Sequence, residues 1–261
     1  MAKRLVRAKD KIRQAAIPIR VPGRDELPDR LDAVLNAIYG AFSEGWTDPT
    51  GLDEARRGLN EESLFLANLV ADLLPAEPEA LGLFALMLNA ESRRRARRSP
   101  SGDFVPLAQQ DQALWDQDQI TKAESQLTRA GAMGRIGRFQ LEAALQSAHI
   151  ARCRTGQNNW PQIVALYDAL LAITDSTVVA INRAVAVAEC DGASAGLAAL
   201  PLITADTRLN QYQPYWVARA ELLARTGDFA TALEANEIAI GLERDPAVRR
   251  FLESRRAEWT H

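Results

Sequence analysis

Apolar residues recur at intervals of three and four along almost the whole chain, the spacing that puts them on one face of an α-helix. Leu5, Ala8, Ile12 and Ala15 follow it until Pro18, which must end or kink that segment. Leu31, Val34, Leu35, Ile38 and Phe42 predict a helix over residues 27–45, and Gly45 reads as its left-handed cap. Asp48-Pro49 looks like the start of the next, which carries Leu59, Leu66, Leu69, Val70 and Leu73 until Pro75 stops it. Pro78 restarts a helix that runs through Leu81, Phe84 and Leu88 into the arginine run 93–98. Beyond a Ser99–Gly102 turn cluster, helices are predicted over residues 112–130, 138–154, 161–173, 177–190, 193–200, 210–225, 229–242 and 246–259.

Extended structure has only two short candidates, residues 17–22 and 104–107, each interrupted by proline. Two such isolated pieces cannot build a sheet with a buried face, so the chain is predicted to be all-α. Asp191-Gly192 and Thr226-Gly227-Asp228 are too short to let the joined helices lie other than antiparallel. Stacked helix hairpins make an α-solenoid, and the tetratricopeptide pattern is the relevant comparison. Trp216, Gly227, Phe229, Ala232 and Ala239 occupy that repeat's positions, with Ala220 for its first glycine and Leu223 for its tyrosine. A weaker copy places Asn182, Ala186, Gly192 and Leu197 comparably. A ligand-binding groove and plain helical packing both fit this pattern. The implied division is a basic segment over 1–24, a helical domain over 25–135 and tetratricopeptide-like repeats over 136–261.

The 261 residues suffice for a core without disulfide or metal staples. Cys153 and Cys190 make no framework, and with His149 and His261 they give no zinc-ligand spacing, so no metal or cofactor is expected. The longest apolar run, residues 80–88, is too short for a bilayer, and no leader pattern opens the chain. A cytoplasmic protein with no membrane partner is expected. The formal net charge of −3 conceals an asymmetry: residues 1–24 hold eight basic side chains and one acidic, while the rest holds 23 basic and 33 acidic. A basic arm of this kind suits a polyanion such as DNA, although an amphipathic helix with a solvated polar face has the same composition.

Chemistry-bearing patterns are few. His149 and Cys153 are one helical turn apart and can touch, but nothing in the sequence orients them as a nucleophile and base. Gly131, Gly134 and Gly137 lack the spacing and preceding strand of a phosphate loop and suit a turn. No catalytic constellation emerges, and an enzyme is not expected. The arginines at 93–98 read as a solvated helix end favoured by the macrodipole, or as partners for acids of the segment that follows. In that segment Asp111 suits a helix N-cap and Trp115 the core.

Four segments in order carry a family resemblance: Ala41-Phe-Ser-Glu-Gly-Trp46, Arg93–Arg95, Gln109-Gln-Asp-Gln-Ala-Leu-Trp-Asp116, and Ile181-Asn-Arg-Ala-Val-Ala186 with Asp191-Gly192. They resemble the tetratricopeptide-like C-terminal extension of a large bacterial group of extracytoplasmic-function sigma factors. Residues 2–13, with Lys3, Arg4, Arg7 and Lys11, are similar to the end of sigma region four, the helix that reads the promoter. On that resemblance region two and most of region four are absent from this chain, and DNA would be a partner only with them, because a lone recognition helix cannot dock. The resemblance implies a transcription-linked interaction module whose partner is a sigma factor core or RNA polymerase. It marks Glu44, Gly45, Arg93, Arg94, Asp111, Trp115 and Asp116 as retained motif positions. Ser43, Gln109 and Gln112 depart from the group's pattern, which predicts that part of its acid–arginine contact set is lost. A generic helical-repeat adaptor for an unrelated peptide is the alternative. Tyr212, Tyr215 and Arg219 are the candidate protein-binding anchors.

Overall fold

The computed structural model describes residue 23 and residues 26–46, 54–201 and 206–260. Eleven α-helices lie among them: α1 (Leu27–Trp46), α2 (Glu54–Leu73), α3 (Pro78–Glu91), α4 (Gln117–Gly131), α5 (Arg138–Thr155), α6 (Trp160–Thr174), α7 (Thr177–Asp191), α8 (Ala193–Ala199), α9 (Gln213–Arg225), α10 (Phe229–Leu242) and α11 (Pro246–Trp259). No strand forms among the described residues, where the one extended pairing is an isolated bridge between Arg98 and Phe104. The fold is all-α, as the hydrophobic periodicity predicts.

Two compact units divide the chain, residues 1–37 and 38–261. In the first, the described part of α1 is supported by one-turn contacts, Arg30 to Glu26 at 2.8 Å and Asn36 to Asp32 at 3.0 Å. The basic helix expected over 1–24, including Lys3, Arg4, Arg7 and Lys11, lies outside the described residues apart from Gly23, as does Asp48-Pro49.

In the second unit α3 is the central element. Its sequence is apolar on every side, which suits a helix with no solvent face, and Pro78 and residues 80–89 are all buried. α2, α4 and α5 pack around it. Gly82 permits the α3–α5 contact: a Cβ there would lie 2.6 Å from the Gln140 backbone nitrogen. The same two helices are joined by a borrowed cap. Gly137 has no side chain to cap α5, and the Glu79 carboxylate of α3 accepts instead from the Phe139 and Gln140 amides at 2.9 and 3.1 Å.

From α6 onward each helix packs mainly on its chain neighbours, as in a solenoid. Leu141, Leu145, Ile163, Leu170 and Ala186 fill the α5–α7 layer. Ile181, Ala184, Ala188, Leu209, Tyr215 and Leu222 fill the next. Between α9 and α10 the small residues Ala220, Ala232 and Ala235 let the helix axes approach. Gly227 makes the tight turn there with φ 88°, and Asp228 caps α10 by accepting from the Thr231 amide at 3.1 Å. Ala220, Ala232 and Ala239 are buried as the repeat pattern predicts, whereas Phe229 is 48% exposed.

Four boundaries differ from the periodic reading. α1 continues through Gly45, which is buried and is not left-handed. α4 begins at Gln117 rather than 112, and α9 at Gln213 after a 3-10 turn over Thr207–Gln211. α3 stops at Glu91 instead of running into the arginines: the Ser92 hydroxyl donates to the Asn89 carbonyl at 2.9 Å, and a 3-10 turn over Arg94–Ala96 follows.

Candidate functional site

Ala96 is the anchor of the arginine run. It is 2% exposed and packs with Trp115, Ile120 and Ile150. Drawing this alanine into an apolar cluster draws its neighbours in too, so Arg93, Arg94, Arg97 and Arg98 are half-buried and Arg95 alone is exposed. The expectation of a solvated helix end is therefore corrected. The guanidiniums also do not pair with Asp111 or Asp116. Arg93 donates to the Gln146 side chain at 2.5 Å and to the Asn89 carbonyl at 3.3 Å. Arg94 holds Glu91 at 2.7 Å, and Arg98 pairs with Asp245 at the start of α11.

The two aspartates act on the backbone instead. Asp111 caps the 3-10 turn over Gln112–Leu114, accepting from the Ala113 amide at 2.9 Å. Asp116 caps α4, accepting from the Gln119 amide at 3.0 Å, and its own amide donates to the Ser92 carbonyl at 2.9 Å. Trp115 between them is 4% exposed. Gln112, one of the departures from the group's pattern, reaches the Cys153 carbonyl of α5 at 2.7 Å, so it tethers this turn despite having no charge.

These segments meet around a cavity of about 360 Å³. Tyr39, Phe42 and Ser43 of α1 and Leu86 and Ala90 of α3 form part of its wall, and Arg93, Arg97, Phe104, Val105, Leu107, Gln110 and Gln146 complete it. Three of the four resemblance segments thus contribute to one site, although 46 residues lie between the first and the second. Glu44 and Gly45 are half-buried and buried just beyond it.

Two half-buried guanidiniums, Arg93 and Arg97, line the site. Burial pushes the Arg93 guanidinium below its usual range. Arg97 is brought down to about 10 by burial and by the neighbouring guanidiniums of Arg93, Arg98 and Arg94. Tyr39, whose ring meets that of Phe139 edge-on at 5.6 Å, is pushed up to about 12 by burial and by the Glu142 carboxylate.

Phe104 also borders a second cavity of about 350 Å³, largely apolar, between α7, α9 and α11. Ile181, Asn182 and Val185 of the fourth resemblance segment line it. Of the candidate protein-binding anchors, Tyr215 is 2% exposed and packs inside the core, which removes it as a surface anchor. Tyr212 is half-buried against the same cluster and Arg219 is half-buried.

Among the described residues no hydrogen bond joins His149 to Cys153. The imidazole meets Trp160 edge-on at 5.7 Å, and burial together with the Arg152 and Arg93 charges brings its pKa down to about 4. Cys153 packs by Trp115, and Cys190 is exposed. Among the described residues no three His, Cys, Asp or Glu side chains gather as a metal site. No described helix is long and apolar enough to cross a membrane. The signals that periodicity missed are Gln110 and Gln146, polar residues on otherwise ordinary segments that only the tertiary fold brings to the arginines.

Residues 30–131, which include α1 from Arg30, α2, α3 and the arginine and Asp111–Asp116 segments, match the model of a family of unknown function (DUF6596). An uncharacterized protein of Rhizobium meliloti (strain 1021) is 37% identical over 242 residues, covering 93% of this chain. The chain spans 57% of the length of that relative. No solved structure matches the chain.

Proposed function

We propose that this chain is a non-enzymatic, transcription-linked regulatory module that acts in the cytoplasm on an extracytoplasmic-function sigma factor or on RNA polymerase. The observation that carries the reading is the convergence of the resemblance segments. Residues around 42, 93 and 110, far apart in sequence, wall one cavity, and the fourth segment lines the cavity next to it. A set of motifs shared only by chance has no reason to gather in space. The helical array supplies the scaffold for protein contacts, and α2 presents an exposed apolar row, Phe65, Leu69 and Leu73, of the kind that marks interaction surfaces. The relative's additional length leaves room for further domains in proteins of this kind.

Titration of the purified chain against an extracytoplasmic-function sigma factor and against RNA polymerase core, with promoter-dependent transcription as the second readout, tests the proposal. Saturable binding and a changed transcript yield are expected. No binding and no effect on transcription would overturn it. The largely apolar cavity between α7, α9 and α11 favours the adaptor reading as the alternative, since an apolar segment of an unrelated partner suits such a groove. A pull-down rich in other proteins and free of sigma factor or polymerase subunits would decide for it.

A further inference from the structure

We propose that the cavity walled by α1, α3 and the 93–110 segment binds a small organic acid, a carboxylate that carries an apolar group and a hydroxyl donor. This inference concerns the cavity itself and holds whichever macromolecular partner the module has. Three features of the wall specify the ligand. Among the described residues Arg93 is a half-buried cation whose hydrogen bonds go to neutral acceptors, the Gln146 side chain and the Asn89 carbonyl, so its charge is left for an anion to balance. Arg97 brings a second guanidinium to the same wall. Desolvation by burial is the main influence on the Arg93 guanidinium, and a bound carboxylate would offset its cost.

Gln110 supplies the second requirement. It lines the cavity and is 9% exposed, its Nε2 donates to the Val105 carbonyl at 3.3 Å, and its buried Oε1 has no hydrogen-bond partner. An orphaned buried acceptor costs free energy that a ligand's O–H donor can recover. The third feature is apolar surface from Phe42, Leu86, Phe104 and Leu107, which suits an alkyl or aryl group and not a free inorganic ion. The volume of about 360 Å³ lies in the range of small-molecule sites. A phosphate dianion would meet the guanidiniums but leave both the orphaned acceptor and the apolar walls unused.

Isothermal titration of the whole chain with 3-phenyllactate and with 2-hydroxy-4-methylpentanoate tests the assignment. At least one of these hydroxy acids is expected to bind saturably. Replacing the carboxylate by its neutral amide should weaken binding about tenfold or more, and removing the hydroxyl should weaken it by about threefold or more. Arg93→Gln, which removes the charge, and Gln110→Glu, which adds an opposing one, should each reduce affinity for the better acid about tenfold. Circular dichroism confirms that the variants remain helical. If they unfold, the ligand series on the unaltered chain decides alone. The proposal is overturned if neither acid saturates up to about 10 mM, if the amide binds as well as the acid, or if inorganic phosphate binds more tightly than both. It is equally overturned if folded Arg93→Gln and Gln110→Glu bind the acid unchanged.

Discussion

A single imidazole makes the stability of this chain depend on acid. His149 is brought to about 4 by burial and by the Arg152 and Arg93 charges, while an unfolded histidine titrates near 6.5. Below that higher value the unfolded chain takes up a proton that the folded chain refuses, so stability falls as the pH drops from about 6.5 towards 4 and levels off beneath it. The full difference is worth about 3 kcal/mol. Urea denaturation of the native chain and of His149→Gln, each at about pH 7 and about pH 4.5, isolates this contribution from that of the carboxylates. The native chain should lose about 2 kcal/mol more than the variant over that interval; equal losses would show that the imidazole does not resist protonation. Asp116 offers a second residue-scale test, because it caps α4 directly. Asp116→Ala should cost about 1 kcal/mol in the same denaturation, whereas the exposed, uncapping Asp118→Ala should cost less. The roles of Asp111 and Trp115 were readable from sequence, since cap chemistry and an aromatic one turn later are local signals. The burial of the arginines was not, because it depends on Ala96 docking against Ile120 and Ile150 from other helices.

Helix α10 and helix α11 match their periodic readings end to end because local chemistry marks both ends. Asp228 and Asp245 cap them, and Pro246 sits in the first turn where its missing N–H is harmless. α3 was read too long for the opposite reason. Arginine is a good helix former, so nothing in the residue types at 93–98 announces the stop that Ser92 and the docking of Ala96 impose. The spacing of α3 from α5 rests on Gly82, and two glycine substitutions of identical chemistry should therefore act with opposite sign. In Gly82→Ala the new methyl meets the Gln140 backbone at 2.6 Å, and with no flexible side-chain end to yield, the helices must separate at a cost of about 1–3 kcal/mol. Around Gly40 of α1 nothing lies within 4 Å, and Gly40→Ala should gain about 0.5–1 kcal/mol from helix propensity alone. Thermal melts of the two variants beside the native chain check the signs; a stabilised Gly82→Ala would refute the close approach.

Three contacts tie the first part of the 38–261 unit to its last helix, and all span 147 positions: Arg98 with Asp245, Asp103 with Arg250, and Phe104 with Phe251 edge-on at 5.6 Å. No helical period or repeat alignment reaches across such a separation, so the fold class and the hairpins were legible in the sequence while this closure was not. The contacts are unequal. Asp103 and Arg250 have side chains about half exposed, where screening and side-chain entropy leave an ion pair little net effect. The phenylalanine pair removes apolar surface from water, and Phe104 also forms a wall of both cavities. The ring contact should therefore dominate. Phe251→Ala is expected to cost about 2 kcal/mol, less than for a fully buried phenylalanine because Phe251 is half-buried. It should also free the 98–105 segment, whose amides at Ser99 and Val105 bond to Asp103 and Arg97 carbonyls within the same loop. Hydrogen exchange at those two amides should quicken in Phe251→Ala while the α3 amides keep their protection, and Arg250→Ala should leave both nearly unchanged. Faster exchange in Arg250→Ala than in Phe251→Ala would mean that charge, not the aromatic contact, holds this loop against α11.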